Sequence, residues 1–563
     1  MRKAGALVAL FLFSFFAVSA AAVPAAGTGG MVASAHPEAT RAGVEMLRQG
    51  GNAADAAVAT AFALAVAEPY ASGIGGGGFA LVRMGEELVF LDFREVAPAA
   101  ANRDMYLHDG RAIPELSTDG PLAVAVPGAV AGYLELHRRW GRLPRAKVLE
   151  PAIRLAREGV LVDERYRSYA RYRAEVLRRD PEAARIFLHE GEVPPLGWRL
   201  KQPELARTLE ILAESGPAPF YTGEIAKRIA ADMARRGGIL TEADLAAYRV
   251  RERKPLLGSY LGHAVATAPP PSAGGVVVLS VLNALETLPP QTPWRDPLAL
   301  HLYIEASKRA FADRHLLGDP DFVDAPVERL VSKERARAWV EEIGFLATPP
   351  HAIAPGVEGA GTWREGAHTS HLSVVDREGN AISLTTTINT PFGAAIVARG
   401  TGILLNNEMD DFAAAPGVPN AYGIVGSEAN AIAPGKVPLS SMAPTIVFSG
   451  ATTDSPVRLV VGSPGGSRIP TTVVQVIFNH LAHGMPIDQA IAQGRVHQQH
   501  LPEVVFVEPH ALDAATAGLL MLRGHRLVEA GTWSNATAIA IDPETGVRTG
   551  AADPRGVGTA MAE

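Results

Sequence analysis

The chain has 563 residues, a formal net charge of −7, 47% hydrophobic residues and no cysteine. That is the profile of a folded chain with a large core, organised as roughly two to four lobes or one big α/β body. The missing cysteine excludes disulfide scaffolds, thiolate catalysis, Cys-ligated zinc and a lipidated N-terminal cysteine, and the mildly acidic balance argues against nucleic acid as the main partner. Arg2 and Lys3 precede an apolar run from Ala6 to Val18, followed by small residues from Ser19 to Ala22. The pattern predicts a secretory signal peptide over residues 1–22, with the cleavage position approximate, and a periplasmic or secreted destination. An uncleaved anchor is the alternative, although the run falls short of the ~20 residues of a bilayer span.

Pro37–Gln49 reads as a helix stopped by Gly50-Gly51. Asn52 then caps a second, Ala/Val-rich helix that runs to Glu68-Pro69, the composition of a helix packed closely against a sheet or another helix. A glycine run, Gly73–Gly78, leads into a strand-like segment near Phe79–Phe93. From Pro127 to Tyr248 the chain is charged and helical, with a capping box from Thr241 to Asp244. Val276–Leu282 reads as a short buried element, and a second helical block spans Leu298–His315. Thr348–His368 is rich in Gly and Pro with little periodicity, which in a compact protein marks a segment with a task or with mobility.

Beyond residue 368 the character changes to strands. Leu372, Val374 and Asp376 alternate with His371, Ser373 and Val375; Ile382, Leu384, Thr386 and Ile388 alternate with Ser383, Thr385, Thr387 and Asn389. Glu378-Gly379 between them predicts a β-hairpin with a two-residue loop, which pairs Arg377 with Asn380 and brings Thr369 beside residues 387–389; a one-residue bulge would shift this slightly. Asn406-Asn407-Glu408 and Asp410-Asp411 follow an apolar strand, Ser440-Ser441 precede another at Ala443–Phe448, and Gly462–Ser467 follows Leu459–Val461. Gly-rich turns at strand ends can aim successive N–H groups at an oxyanion.

Several motifs lead elsewhere. Gly73–Gly78 matches the dinucleotide pattern G-x-G-x-x-G, but a helix precedes it and a strand follows, so a tight backbone turn is the better reading. There is neither a P-loop nor a G-x-S-x-G elbow. His480/His483 and His497/His500 have the i,i+3 spacing of helix-borne metal ligands, yet lack an acidic ligand motif, and read as solvated helix faces; no metal or other cofactor is expected. Asn535-Ala-Thr537 is a glycosylation sequon by pattern only.

The motifs Gln49–Ala57, Gly75–Phe79, Asp92–Glu95, Pro269–Gly275, Thr369-Ser-His371, Leu404–Phe412, Pro438–Met442 and Gly462–Arg468 together resemble the γ-glutamyltransferase (glutathione hydrolase) family, over nearly the whole chain after residue 22. The resemblance implies an N-terminal-nucleophile hydrolase fold: α/β, a four-layer αββα sandwich formed jointly by two subunits. It also implies a precursor that cuts itself between His368 and Thr369, giving a large subunit of residues 23–368 and a small catalytic subunit of residues 369–563. Thr369 would then be the nucleophile, and its freed α-amino group, with a pKa of about 7.7–8.0, the base.

By the same resemblance Thr387 orients the nucleophile, consistent with the hairpin register. Arg94, Ser440 and Ser441 hold the α-carboxylate of a γ-glutamyl donor. Asn389, Glu408 and Asp411 hold its α-amino group, Gly465 and Gly466 donate to the oxyanion, and Tyr422 gates a lid over Pro416–Ser427. Glu408 stands where some members have glutamine, and Ser370 where many have a second threonine. The alternatives are a surface ion pair with Glu95 for Arg94 and a general-base role for His371, for which a structural role in the strand is preferred. The implied reaction is hydrolysis or transfer of γ-glutamyl groups from glutathione and similar amides to water, amino acids or dipeptides. Two rivals remain: a glutaryl-type β-lactam acylase of the same fold, disfavoured by the ammonium-binding residues, and an exported amino-acid-binding protein without catalysis.

Overall fold

The computed structural model describes residues 24–290, 292–356, 369–415 and 417–563. The expected signal peptide, the His368 side of the expected cleavage point and Pro416 of the expected lid lie outside these residues. In chain order the elements that frame the site are β1 (Ala25–Gly27), β2 (Met31–Ser34), α1 (Pro37–Arg48), α2 (Ala53–Ala67), β3 (Gly77–Met84), β4 (Glu87–Asp92), β5 (Arg251–Arg253), β6 (Leu256–Tyr260), β7 (His263–Thr267), α3 (Gly274–Leu285) and α4 (Pro297–Ala312). They continue with β8 (Ser370–Val375), β9 (Ala381–Thr387), β10 (Thr445–Phe448), β11 (Val457–Gly462), α5 (Ile469–His483), β12 (Thr537–Ile541), β13 (Arg548–Ala552) and β14 (Thr559–Ala562).

Every residue of α2 is buried. A helix apolar all round belongs in the middle of a core, and here small side chains let its neighbours come close: a Cβ on Gly43 of α1 would strike the Thr60 hydroxyl of α2. The Asn52 side chain accepts from the N–H groups of Ala54 and Asp55, and Asp55 returns a bond to the Asn52 N–H at 3.0 Å, the expected cap completed as a box.

The strands form two antiparallel seven-stranded sheets, in the orders β14-β2-β8-β9-β3-β4-β5 and β1-β13-β12-β11-β10-β7-β6. Helices α1 and α2 cover the outer face of the first sheet, α3 and α5 that of the second, and the two sheets pack against each other: four layers, as expected. β8 and β9 lie between β2 and β3, so segments from before and after residue 369 complete one sheet. Leu372, Val374, Ile382 and Leu384 join the apolar cluster under α2, each contributing about 1.5–3 kcal/mol by burial. Ser373 and Ser383 face the other way and donate to Thr537 O (3.3 Å) and Val461 O (3.1 Å) of the second sheet. Alternation here marks two buried environments, one apolar and one hydroxyl-rich.

The hairpin turn differs from the expected one by a residue. Its loop is Arg377-Glu378-Gly379, because the Asp376 carboxylate captures the N–H groups of Glu378 (2.9 Å) and Asn380 (3.0 Å) and leaves Gly379 at φ +86°. The other Asp376 oxygen accepts from Ala53 N at 3.0 Å and ties the turn to the start of α2. Ser370 consequently pairs with Thr386, which places Thr369 across from Thr387.

His497 and His500 depart from expectation. His497 ends a short strand and His500 lies in a loop at φ +71°; both are buried rather than on a solvated helix. Sequence spacing could not separate a helix turn from a strand end of equal length. Asn535 of the sequon is buried. Among the described residues, no helix is long and apolar enough to cross a membrane, and no group of three or more His, Cys, Asp or Glu is arranged to hold a metal ion.

Candidate active site

Thr369 stands at the entrance of β8, and its hydroxyl donates to Thr387 Oγ1 at 3.3 Å. The same Thr387 oxygen accepts the Asn389 N–H at 2.8 Å. Asn389 holds a left-handed backbone, φ +74°, which Asn tolerates better than most residues. Three hydrogen bonds keep it there: its amide donates to Asn407 O (2.9 Å), and the Tyr422 hydroxyl donates to its backbone O (2.8 Å) and Oδ1 (2.6 Å). The glycine run makes room for this strand end, since a Cβ on Gly76 would strike Thr387 O and one on Gly75 would strike Leu404 O.

Strand alternation sends Ser370 to the opposite face, where its hydroxyl donates to Glu68 Oε2 at 2.7 Å. His371 is wedged between the sheets with Nδ1 2.8 Å from Thr385 Oγ1 and Nε2 3.3 Å from Ser373 Oγ. Burial pushes its pKa down to about 3, so the ring is neutral and held by hydroxyls of the strands.

The charged wall comes from loops. Arg94, just beyond β4, is buried and gives Nη1 to Glu408 and Nη2 to Asp411, with Glu95 Oε2 3.8 Å from Nη1. It is therefore no surface ion pair. Glu408 and Asp411 lie on one 3₁₀ turn behind Asn406 and Asn407. Those two amides serve the frame: Asn406 Nδ2 donates to Gly75 O (2.8 Å) and Ala125 O (2.9 Å), and Asn407 Nδ2 to Thr118 O (2.7 Å) and Thr390 Oγ1 (2.6 Å). Asp410 accepts from Ser117 (2.7 Å) and from Ala421 N (2.9 Å) of the expected lid segment. Burial raises the Glu95 carboxyl to about 7 and that of Glu408 well above the usual carboxylate range, while Arg94 opposes both shifts.

Arg94, Thr369, Thr387, Asn389, Glu408, Asp411, Tyr422, Ser440, Ser441 and Gly466 all line one cavity. Gly465 is not in its wall; at φ +134° it presses towards Ser534, and a Cβ would lie 2.5 Å from that hydroxyl. Gly466, at φ +55°, opens the 3₁₀ turn that leads into α5, so the helix start faces the cavity near Thr369. Ser440 Oγ accepts from Met442 N at 3.0 Å. Tyr422, the expected lid residue, lines the pocket, and its carbonyl accepts from Gln499 Nε2 at 3.3 Å.

Sequence reading missed Arg314 and the apolar wall of Ile424, Met442 and Ile469. Arg314 had only a weak signal: no acid lies three or four positions from it, but the end of a helix is an ordinary place for a cation.

Comparison with known proteins agrees with this architecture. The Gamma-glutamyltranspeptidase family profile matches residues 39–563. The glutathione hydrolase proenzyme of Escherichia coli (strain K12) is 44% identical over 540 residues, covering 95% of this chain and 92% of that protein. The crystal structure of cephalosporin acylase from Bacillus halodurans superposes with a TM-score of 0.83 at 31% identity, covering 96% of this chain and 97% of that one. Helicobacter pylori gamma-glutamyltranspeptidase gives 0.56 at 38% identity, over 57% of this chain and 94% of that one. With two α-helix-covered sheets, a threonine at the head of a central strand and a family match spanning nearly all of the described residues, the chain belongs to the gamma-glutamyltranspeptidase family of N-terminal-nucleophile hydrolases.

Proposed function

We propose that the chain is a self-processing γ-glutamyl hydrolase/transferase acting on glutathione and related γ-glutamyl amides. The observation that carries this reading is one cavity in which a threonine hydroxyl, 3.3 Å from a second threonine, meets both arginine and carboxylate side chains. A γ-glutamyl head carries an ammonium and a carboxylate on one carbon, and this wall offers each its opposite charge.

In the first step the Thr369 oxygen attacks the carbonyl carbon of His368. The C–N bond breaks, the nitrogen gains a proton as the new α-amine of Thr369, and water hydrolyses the resulting ester. Two subunits result, residues 23–368 and 369–563, which stay paired because they share the first sheet. In turnover the free amine accepts the hydroxyl proton, Thr369 takes the γ-glutamyl group as an ester and the amine product leaves. The N–H groups of Gly466, in the cavity wall, and of Gly465, next to it in the chain and outside that wall, are assigned to the oxyanion; losing one such donor typically costs ~100–1,000-fold. Water or an acceptor amine then releases the acyl group. Arg94 already holds Glu408 and Asp411, so the substrate enters by exchange: its ammonium takes the carboxylates as its carboxylate takes Arg94, Ser440 and Ser441. The run from Ala6 to Val18 supports export before or during maturation.

N-terminal sequencing of the shorter fragment tests nucleophile and maturation together, and is expected to start at Thr369. An active preparation containing only the undivided chain would defeat the proposal. The cephalosporin acylase neighbour makes a glutaryl acylase the second reading. A glutaryl group has no ammonium for Glu408 and Asp411, so γ-glutamyl anilide is expected to be turned over far faster than glutaryl anilide.

A further inference from the structure

The two buried arginines of the cavity are not equivalent. Arg94 is surrounded by three carboxylates. Arg314, on the 3₁₀ turn after α4, is also buried, yet among the described residues no carboxylate lies within ion-pair distance of it. Its Nη1 donates to Ser440 O and to Ser441 Oγ, both at 2.9 Å, and its Nη2 to Leu439 O at 3.1 Å. All three partners are neutral. A cation removed from water and hydrogen-bonded only to neutral acceptors is costly: burial lowers its pKa to about 10, with Asp411 opposing the shift from beyond ion-pair distance and the Arg94 charge adding to it, and the group is still protonated at neutral pH. Such a charge in a cavity wall calls for an anion.

The hydrogen bond to Ser441 adds direction. Guanidinium is a donor only, so the Ser441 oxygen must accept, and its own proton turns away from Arg314. Arg314 and Ser441 border the same cavity. The carbonyl contacts to Leu439 and Ser440 hold the backbone that carries both serines, so a single side chain sets the charge, the position and the hydroxyl polarity of this wall.

We propose that Arg314 is a second cationic element of the donor site, which compensates the α-carboxylate of the bound γ-glutamyl group and acts as a positioning residue by turning the Ser441 hydroxyl into a donor towards it. This rests on the γ-glutamyl reading above. Arg94 answers the carboxylate only after releasing two acids; Arg314 answers it without releasing any.

The test uses the mature wild-type enzyme and its Arg314→Gln and Arg314→Lys variants with two chromogenic probes: γ-glutamyl 4-nitroanilide, and 4-aminobutyryl 4-nitroanilide, which lacks only the α-carboxylate. Loss of one charge-assisted contact predicts that Arg314→Gln raises KM for the γ-glutamyl probe roughly 10–100-fold with kcat little changed. Preference for that probe over the decarboxylated one falls by the same factor, and Arg314→Lys restores part of it. The Ser441→Ala change is expected to cost less in the Arg314→Gln background than in wild type, because the two act as a unit. Preference retained in both variants, or a fall in kcat at unchanged KM, overturns the inference while the γ-glutamyl reading stands. A wild-type enzyme inert towards the γ-glutamyl probe overturns that reading, and this inference with it.

Discussion

The cavity joins two regions built on opposite plans. The nucleophile side is neutral and rests on strand register: Thr369, Thr387 and His371 are fixed by β8 pairing with β9 and by hydroxyl hydrogen bonds. The recognition side is charged and rests on loops: Arg94, Glu408, Asp411 and Arg314 are held by one another and by backbone carbonyls. A reacting atom has to be placed within a few tenths of an ångström, and a sheet supplies that placement cheaply. A zwitterion has to be exchanged for resident counter-charges, which loops around a buried ion cluster permit.

The contrast is sharpest at Thr369. Thr369→Ala removes the only hydroxyl assigned to bond formation, so the purified chain is expected to stay undivided and without turnover; a denaturing gel and an anilide assay read both. Such a variant that still splits between residues 368 and 369 would mean that the neutral side is not where the chemistry starts. Arg94→Gln attacks the other side. It strands buried carboxylates, and kcat/KM for a γ-glutamyl anilide should fall by roughly 100–1,000-fold, in line with the 2–5 kcal/mol cost of breaking a buried pair, while subunit cleavage proceeds. Equal damage to cleavage and turnover would show that the two regions are not separable.

His371 tests the neutral side through stability. Its folded pKa of about 3 lies below the ordinary His value of 6.5, so the unfolded chain binds more protons between these limits. Its contribution is complete above pH 6.5 and is lost as pH falls towards 3, on the order of 1 kcal/mol per pH unit. Replacing it by a neutral, uncharging residue, as in His371→Asn, should flatten the acid limb of a stability-against-pH curve obtained from denaturant unfolding; an unchanged slope would argue against a neutral buried ring. The smallest effect belongs to the lid. Tyr422→Phe deletes the hydrogen bonds to Asn389 but keeps the ring, so KM should rise about 3–10-fold with kcat nearly constant. A large drop in kcat would instead tie Tyr422 to the reacting side through Asn389 and Thr387.

Much of this was legible along the chain, for reasons that differ from element to element. The Asn52 cap and the Thr241–Asp244 box are local, so their hydrogen bonds follow from residues three apart. The two strands after Thr369 announced themselves by alternation, and the motif residues by family resemblance. The turn between those strands did not: the choice between two and three loop residues depended on Asp376, whose second oxygen bonds to Ala53, a residue more than three hundred positions earlier. The sense of alternation was equally hidden, since a strand between helices and a second sheet buries both its faces. Asn406 and Asn407 looked as suitable for a ligand as Asn389, yet they are spent on carbonyls of the frame.

Residue order by itself determined the helix caps, the strands flanking the nucleophile and the chemical types gathered at their ends, because these depend on neighbours within a few positions. Tertiary structure alone decided which carboxylates meet Arg94, that His497 is buried in a strand, and that Arg314 reaches Ser441 with no carboxylate of the described residues in ion-pair distance. Those outcomes depend on segments distant in sequence that share one low-dielectric space, where each charge is worth what surrounds it.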